Sequence, residues 1–400
     1  AMFWAGLNGL VENCRFVDNE AVNNPKYNAS GRGGAVYIEP CAHGNKNTTF
    51  KHVYFENNLA GTNGGAINWH DDAIEGLVDN ATFINNTAKR SGGAIFWNGY
   101  DGEIRYSKFY GNKVLGITNA TSVRGDITNG GDGGAVMWSG AEGKVSHCNF
   151  VNNTAAKRGG AVLLQGNDNY PSFDIVFADN YFDSNVAGTN GGAIDWYRGA
   201  RNGAVDNSIF VNNTAKRAGG AIYWSGVNGT VKNSNFTANS AGYGGAIYLN
   251  GISSGSEISN SIFANNTATG NGGAIDCNAT LVNLTHTQFI SNYANYGAAF
   301  AVFVNKEHMG YVESSTGFSG GGSFETSILN AVQLNKGVNT ITLRCVGGGV
   351  QTLVSKIIFE GLEELPEIRG SYLKAEKIML KVGESIKVFD GIRMTDGNFR

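Results

Sequence analysis

Along this chain the apolar positions recur in two registers that alternate up to about residue 300. The first is centred on a Phe. Five residues before it stands an apolar side chain, two before it nearly always a small one, and three after it an Asn, as in Val205, Ser208, Phe210 and Asn213. Ten copies share this frame, at Phe16, Phe55, Phe83, Phe109, Phe150, Phe182, Phe210, Phe236, Phe263 and Phe289. The second register follows a Gly-Gly-Ala motif, which begins at Gly33, Gly64, Gly92, Gly133, Gly159, Gly191, Gly219, Gly244 and Gly272 and is degraded at Gly297. After it, apolar residues alternate with variable ones. The alternation predicts a strand with one buried and one solvent side. All six tryptophans occupy a single column of this register, at Trp4, Trp69, Trp97, Trp138, Trp196 and Trp224.

A usual spacing of 25 to 32 residues between copies specifies stacked units, each too small to bury a core alone. Short strands at one period, no helical run and only four prolines predict an all-β right-handed parallel β-helix of about ten coils. The Asn column suits a hydrogen-bonded ladder from coil to coil. The paired glycines suit a corner where backbones pass closely or φ is positive. Residues 1–300 are assigned to this repeat, 301–365 to a small antiparallel β region, and 366–400 to a linker followed by a partial immunoglobulin-like repeat. Ala1 to Trp4 reads as the end of a Gly-Gly-Ala motif, so a coil or cap is expected before it. An uncovered first coil would leave backbone groups unpaired and favour end-to-end self-association.

Gly-Gly-Ala-(Ile/Val) combined with Phe-x-x-Asn resembles the repeat of the chlamydial polymorphic outer membrane proteins. The strings Gly219 to Gly226 and Phe210 to Ala215 look still more like the adhesin-like surface proteins of methanogenic archaea. The resemblance implies a non-enzymatic adhesin displayed at the cell surface, outside the cell, with a polysaccharide or glycoprotein surface as partner. Beyond the repeat, Phe300 to Asn305, Ser323 to Val332 and Leu334 to Leu343 resemble late strands of carbohydrate-binding jelly-roll modules. Ile378 to Val388 resembles the first strands of a surface immunoglobulin-like repeat.

A net charge of −3 with interspersed signs supplies no basic field for nucleic acid. No apolar run reaches the length of a membrane-spanning helix, and no cofactor or metal motif is visible among five scattered cysteines. Cys14 and Cys148 fall in the small column beside Phe and read as buried. Twelve Asn-x-Ser/Thr sequons are present, of which Asn85, Asn152, Asn212 and Asn265 belong to the repeat itself.

Four insertions lengthen two corners: Glu20 to Arg32 and Lys113 to Asp132 at one, Pro40 to Thr49 and Gly166 to Ser172 at the other. The basic pairs Lys89-Arg90, Lys157-Arg158 and Lys216-Arg217 read as solvated turns at the first. The variable column of the Trp strand is taken as the solvent side and carries Phe3, Tyr37, Asn68, Phe96, Met137, Leu163, Asp195, Tyr223, Tyr248 and Asp276. Aromatic rings in that stripe suit sugar faces. Tyr37, Phe96, Asp195, Tyr223, Tyr248 and Asp276 are therefore candidate ligand-binding residues. The rival is a polysaccharide lyase or hydrolase, whose carboxylates or Arg base would be drawn from Asp71, Asp72, Asp195 and Arg198. A bare spacer is the third reading.

Overall fold

The computed structural model describes residues 1–294 except 25–30, 40–44, 117–129, 167–171, 198–200, 252 and 280–281, and after them only the strands named below. Ala1–Tyr293 forms one compact unit and Ala294–Arg400 a second.

The first unit is a parallel β-solenoid. One middle coil contributes strands Ile194–Trp196, Ala204–Asp206, Ile209–Val211 and Thr214–Ala215. Each pairs in parallel with its counterpart one coil on, with Trp196 opposite Trp224, Val205 opposite Val231, Phe210 opposite Phe236 and Thr214 opposite Ser240. Four sheets result, each with ten successive strands along its path. We number them first to fourth in the order of those strands. The coil bends at left-handed residues, Asn202, Asn207 and Asn212, with φ of 53°, 43° and 55°. Asn tolerates that conformation better than most residues. The same requirement explains why Asn85, Asn152 and Asn265 recur in the repeat, since each holds a φ of 53° to 55° or 56° at the equivalent bend.

The interior is built from ladders. Ten Phe rings stack at centroid distances of 4.7 to 5.2 Å from Phe16 to Phe289. Beside them runs the expected Asn ladder. The Asn213 Nδ2 donates to Asn239 Oδ1 and to the Phe182 carbonyl, both at 3.0 Å. Its Oδ1 accepts from the backbone N–H and the Nδ2 of Asn185. Both amide hydrogens and both lone pairs are thereby used, which Asp or Ser could not reproduce. In the small column the hydroxyl makes a second ladder: Ser208 Oγ accepts from the Asn180 backbone and donates to the Asp206 carbonyl.

At the glycine corner the two residues have different tasks. Gly191 has a φ of 64°, whereas a Cβ on Gly192 would overlap the carbonyl oxygen of Gly220 in the next coil. A further dependence was invisible in the repeat frame. Each tryptophan is matched by a glycine just before the second-sheet strand, as Trp97 by Gly102, Trp138 by Gly143 and Trp224 by Gly229, and a Cβ there would overlap the indole. Where the column holds Ile38, Leu164, Leu249 or Cys277 instead, that slot holds Thr48, Ile175, Ser256 or Val282. Volume lost from one side of the interior is restored from the other.

Two readings of the sequence are corrected here. Cys148 is buried, but Cys14 is exposed. Burial also pushes the Cys148 thiol up to about 12. Native alkylation followed by intact-mass measurement should therefore modify Cys14, which is exposed, well before Cys148. Cys148 labelling as fast as Cys14 would mean that the middle coils open readily. The second correction concerns Arg158, which is buried rather than solvated. In the other two corners the pair precedes one more residue, Ser91 or Ala218, but Ala156 shifts Lys157-Arg158 onward so that Arg158 abuts the glycines and takes that buried slot.

The second unit contains a three-stranded antiparallel sheet with Ala299–Val304 between Glu307–Glu313 and Ile341–Cys345. It also holds the hairpin Ala375–Val382 with Ser385–Ile392 and the short pair Met394–Thr395 with Asn398–Phe399. The anticipated strand Ser323 to Val332 lies outside the described residues. Among the described residues no helix is long and apolar enough to cross a membrane.

Candidate functional site

Residues of the first sheet alternate about its plane, so the Trp column faces inward and the next column outward. The outward column is not the uniform solvent stripe that period two predicts. Phe3 is 62% exposed, while Asn68, Met137, Leu163 and Asp195 are all at 0 or 1%. The physical reason lies in the flanking columns. Arg158 enters from the glycine corner on one side and stacks 3.9 Å above the Tyr197 ring, which stands two residues past Asp195 on the other. Since Leu163 and Asp195 are register partners, a contact between those flanks passes over both.

This cover is tied down electrostatically. Arg158 Nε and one terminal nitrogen donate to the two carboxylate oxygens of Asp132, each at 2.9 Å. Such a two-pronged pair is the strong geometry for guanidinium and carboxylate. Burial pulls the Arg158 pKa down, but the Asp132 hydrogen bonds and charge outweigh it and leave the value above the ordinary one. Asp195 is placed differently. It is wholly buried and neither carboxylate oxygen has a hydrogen-bond partner among the described residues. Burial drives its pKa well above the usual carboxylate range, with Arg158 opposing and Asp132 reinforcing that shift.

Towards the later coils the column continues as Tyr223, Tyr248 and Asp276, all half-buried. The two phenol rings are parallel within 4°, with centroids 5.3 Å apart. They cover each other's faces and present their edges and hydroxyls outward. Asn250 Nδ2 donates to the Tyr223 hydroxyl at 3.1 Å, and Asn278 Nδ2 to the Tyr248 hydroxyl at 2.9 Å and to Asp276 at 3.3 Å. Burial, then the charge of Asp195, pushes Tyr223 up to about 12, and burial raises Asp276 as well. Towards the earlier coils Tyr37 accepts from Arg32 at 3.3 Å and meets Phe3 at 5.7 Å, while Phe96 is half-buried.

The structure thus joins Asp195, Tyr223, Tyr248 and Asp276 in one continuous run and separates them from Tyr37 and Phe96 by the buried residues between. Asp71 and Asp72 lie on the strand Ile67–Ile74, but their side chains are outside the described residues, as are Arg198 and the tips of all four insertions. Among the described residues no group of three or more His, Cys, Asp and Glu is placed to hold a metal ion. The sequence reading missed Asp132, Arg158 and Tyr197. The available signal was Lys-Arg directly abutting Gly-Gly, found in one copy only.

A ten-rung parallel β-solenoid with aromatic and amide ladders defines the class of protein. Four segments, 52–68, 80–96, 207–223 and 260–278, match the Chlamydia polymorphic membrane protein repeat. The third runs from the bend before Ile209–Val211 through Asn213 and the glycine corner into the strand Ile222–Trp224. The chain carries this repeat in those four places. No curated protein matches it in sequence. In shape it is similar to a Geobacillus virus E2 protein, ORF18, at 11% identity, covering 77% of this chain and 56% of that one with a TM-score of 0.37. It is also similar to a mannuronic acid specific polysaccharide family 6 lyase from human gut microbiota, at 10% identity, 72% and 76% coverage and a TM-score of 0.39. PfbA, a surface adhesin of Streptococcus pneumoniae, is similar at 15% identity, 72% and 70% coverage and a TM-score of 0.31.

Proposed function

We propose that this chain is a non-enzymatic, adhesin-like protein of the cell surface, whose solenoid holds a glycan-binding face towards other surfaces. The observation that carries the reading is the polymorphic membrane protein repeat in four places. The outward run Tyr223, Tyr248 and Asp276 supports it, since hydroxyls and a carboxyl ordered by Asn250 and Asn278 suit a polyhydroxylated ligand. A ligand there meets ring edges and polar groups rather than open ring faces. Residues 301–365 are assigned to the same function as a carbohydrate-binding module or cap.

A glycan array with the whole chain tests this. We expect binding to a restricted set of glycans, reduced at least tenfold in a Tyr223→Ala, Tyr248→Ala double variant. Binding untouched by that change would remove this face as the site, and no binding to any glycan or cell surface would leave only a spacer. Appearance of unsaturated uronates or new reducing ends on incubation with polysaccharides would instead establish the lyase or hydrolase alternative.

A further inference from the structure

The bend between the third and fourth sheets carries a periodicity of its own. Taken coil by coil, its left-handed residues are Asp18, Asn57, Asn85, Gly111, Asn152, Ser184, Asn212, Ala238, Asn265 and Ser291. From Asn85 onward Asn returns at every second coil, and each coil between holds a small residue. A positive φ admits Asn but does not set this alternation. The bend between the second and third sheets holds Asn207, Asn233 and Asn260 on successive coils, so the fold accepts Asn in consecutive rungs. Nor does the backbone favour Ala238, whose φ of 55° suits Asn better.

The residue two positions on alternates in step. After Asn85, Asn152, Asn212 and Asn265 it is Thr87, Thr154, Thr214 and Thr267, whereas after Gly111, Ser184, Ala238 and Ser291 it is Lys113, Val186, Ser240 and Tyr293. Lys113, Val186 and Ser240 pair in register with those threonines. Strand pairing in the fourth sheet therefore does not call for Thr. What coincides is Asn-x-Thr, the acceptor sequence for an N-linked sugar. The middle Asn of each triplet, Asn86, Asn153, Asn213 or Asn266, is buried in the amide ladder. The first Asn is exposed in all four, and the Thr is half-buried or exposed. The two groups that define the acceptor thus lie together on the outer side.

We propose that Asn85, Asn152, Asn212 and Asn265 are N-glycosylated and carry a single file of glycans along this edge of the solenoid. The donor is a sugar linked to a polyprenyl phosphate, and a membrane-bound transferase delivers it. In the transfer the Asn carboxamide nitrogen bonds to the anomeric carbon and gives up one N–H proton. The bond from that carbon to the phosphate oxygen breaks, and its electron pair leaves with the lipid phosphate. Glycans on adjacent coils would crowd one another at a spacing of ~4.8 Å. Two coils, roughly 10 Å, with a small residue between, give each sugar room. The proposal rests on the surface reading above only for export from the cell.

The test is peptide mass spectrometry on the whole chain purified from its own host, with surface and interior fractions kept apart. The expected result is a glycan mass on the peptides of Asn85, Asn152, Asn212 and Asn265. Asn57 and Asn207, exposed at bends but followed by Leu59 and Ile209, should be bare. Thr214→Val should remove the glycan at Asn212 alone, and Thr214→Ser should keep it. Val is safe for the fold there, since Val186 holds the same position one coil before. Four bare asparagines on surface chain would overturn the proposal and leave the adhesin reading standing. Bare asparagines on a chain found only inside the cell would overturn both. A modified Asn212 in the Thr214→Val variant, or a modified Asn57, would overturn it too.

Discussion

Replacing Gly229 by Ile should unfold the middle of the solenoid, and replacing Trp224 by Leu in the same chain should restore it. A Cβ at Gly229 already overlaps the Trp224 indole, and Trp224 is buried with its ring 4.4 Å from that of Trp196. Neither partner can retreat, so the insertion should cost about 3 kcal/mol or more. Trp224→Leu alone leaves a cavity and should cost about 2–4 kcal/mol. The double variant recreates a pairing the chain already uses, Leu164 with Ile175. Its loss should fall below the sum of the single losses by about 2–3 kcal/mol. Urea midpoints by circular dichroism for the four proteins check this. Additive losses would mean that the two positions do not share one volume.

Asn153→Asp, a change of one heavy atom, should be strongly destabilising. Asn153 is wholly buried. Its Nδ2 donates at 3.0 Å to the Phe109 carbonyl and to Asn185 Oδ1, while its Oδ1 accepts from the backbone and side chain of Asn112. An ionised Asp keeps both acceptances but turns a second oxygen towards two acceptors, at a cost of about 3–5 kcal/mol for a buried charge without a partner. The sign of the pH dependence follows. Burial and facing acceptors raise the folded-state pKa of the new carboxyl above its unfolded value, so the protonated protein is the more stable one. The loss is small below the unfolded pKa, where the acid still donates one hydrogen bond, and grows as pH rises to the raised folded value. Measured against the unmodified protein, the urea midpoint should therefore drop progressively from acid to neutral pH. A gap independent of pH would show that the Asn ladder opens to water at this rung.

The solenoid was legible because its interior is periodic. Phe150, Asn153 and Trp138 each repeat in register, and a periodic interior writes the same residue types into the sequence at the same offsets. The corner glycines were legible for the same reason, since a positive φ or a close backbone pass admits few alternatives. The exchange between Trp224 with Gly229 and Leu164 with Ile175 was also present in the sequence, but as a relation between two columns, and reading columns singly hid it.

The candidate site lay largely beyond such reading. Alternation correctly placed Asp195 on the opposite side of its strand from Trp196, and then outward was equated with solvated. That step depends on what lies over the sheet. Arg158 reaches the face because Ala156 displaces the basic pair by one residue, and it is held there by Asp132, 26 positions away, with Tyr197 completing the cover. Those groups occur in one copy each, so no periodicity announces them. The sequence by itself determined the stack, its ladders and the direction of the residues in its recurring columns, since these follow from local geometry repeated ten times. Only the tertiary structure decided which outward residues meet water, because that rests on single side chains from different coils meeting once.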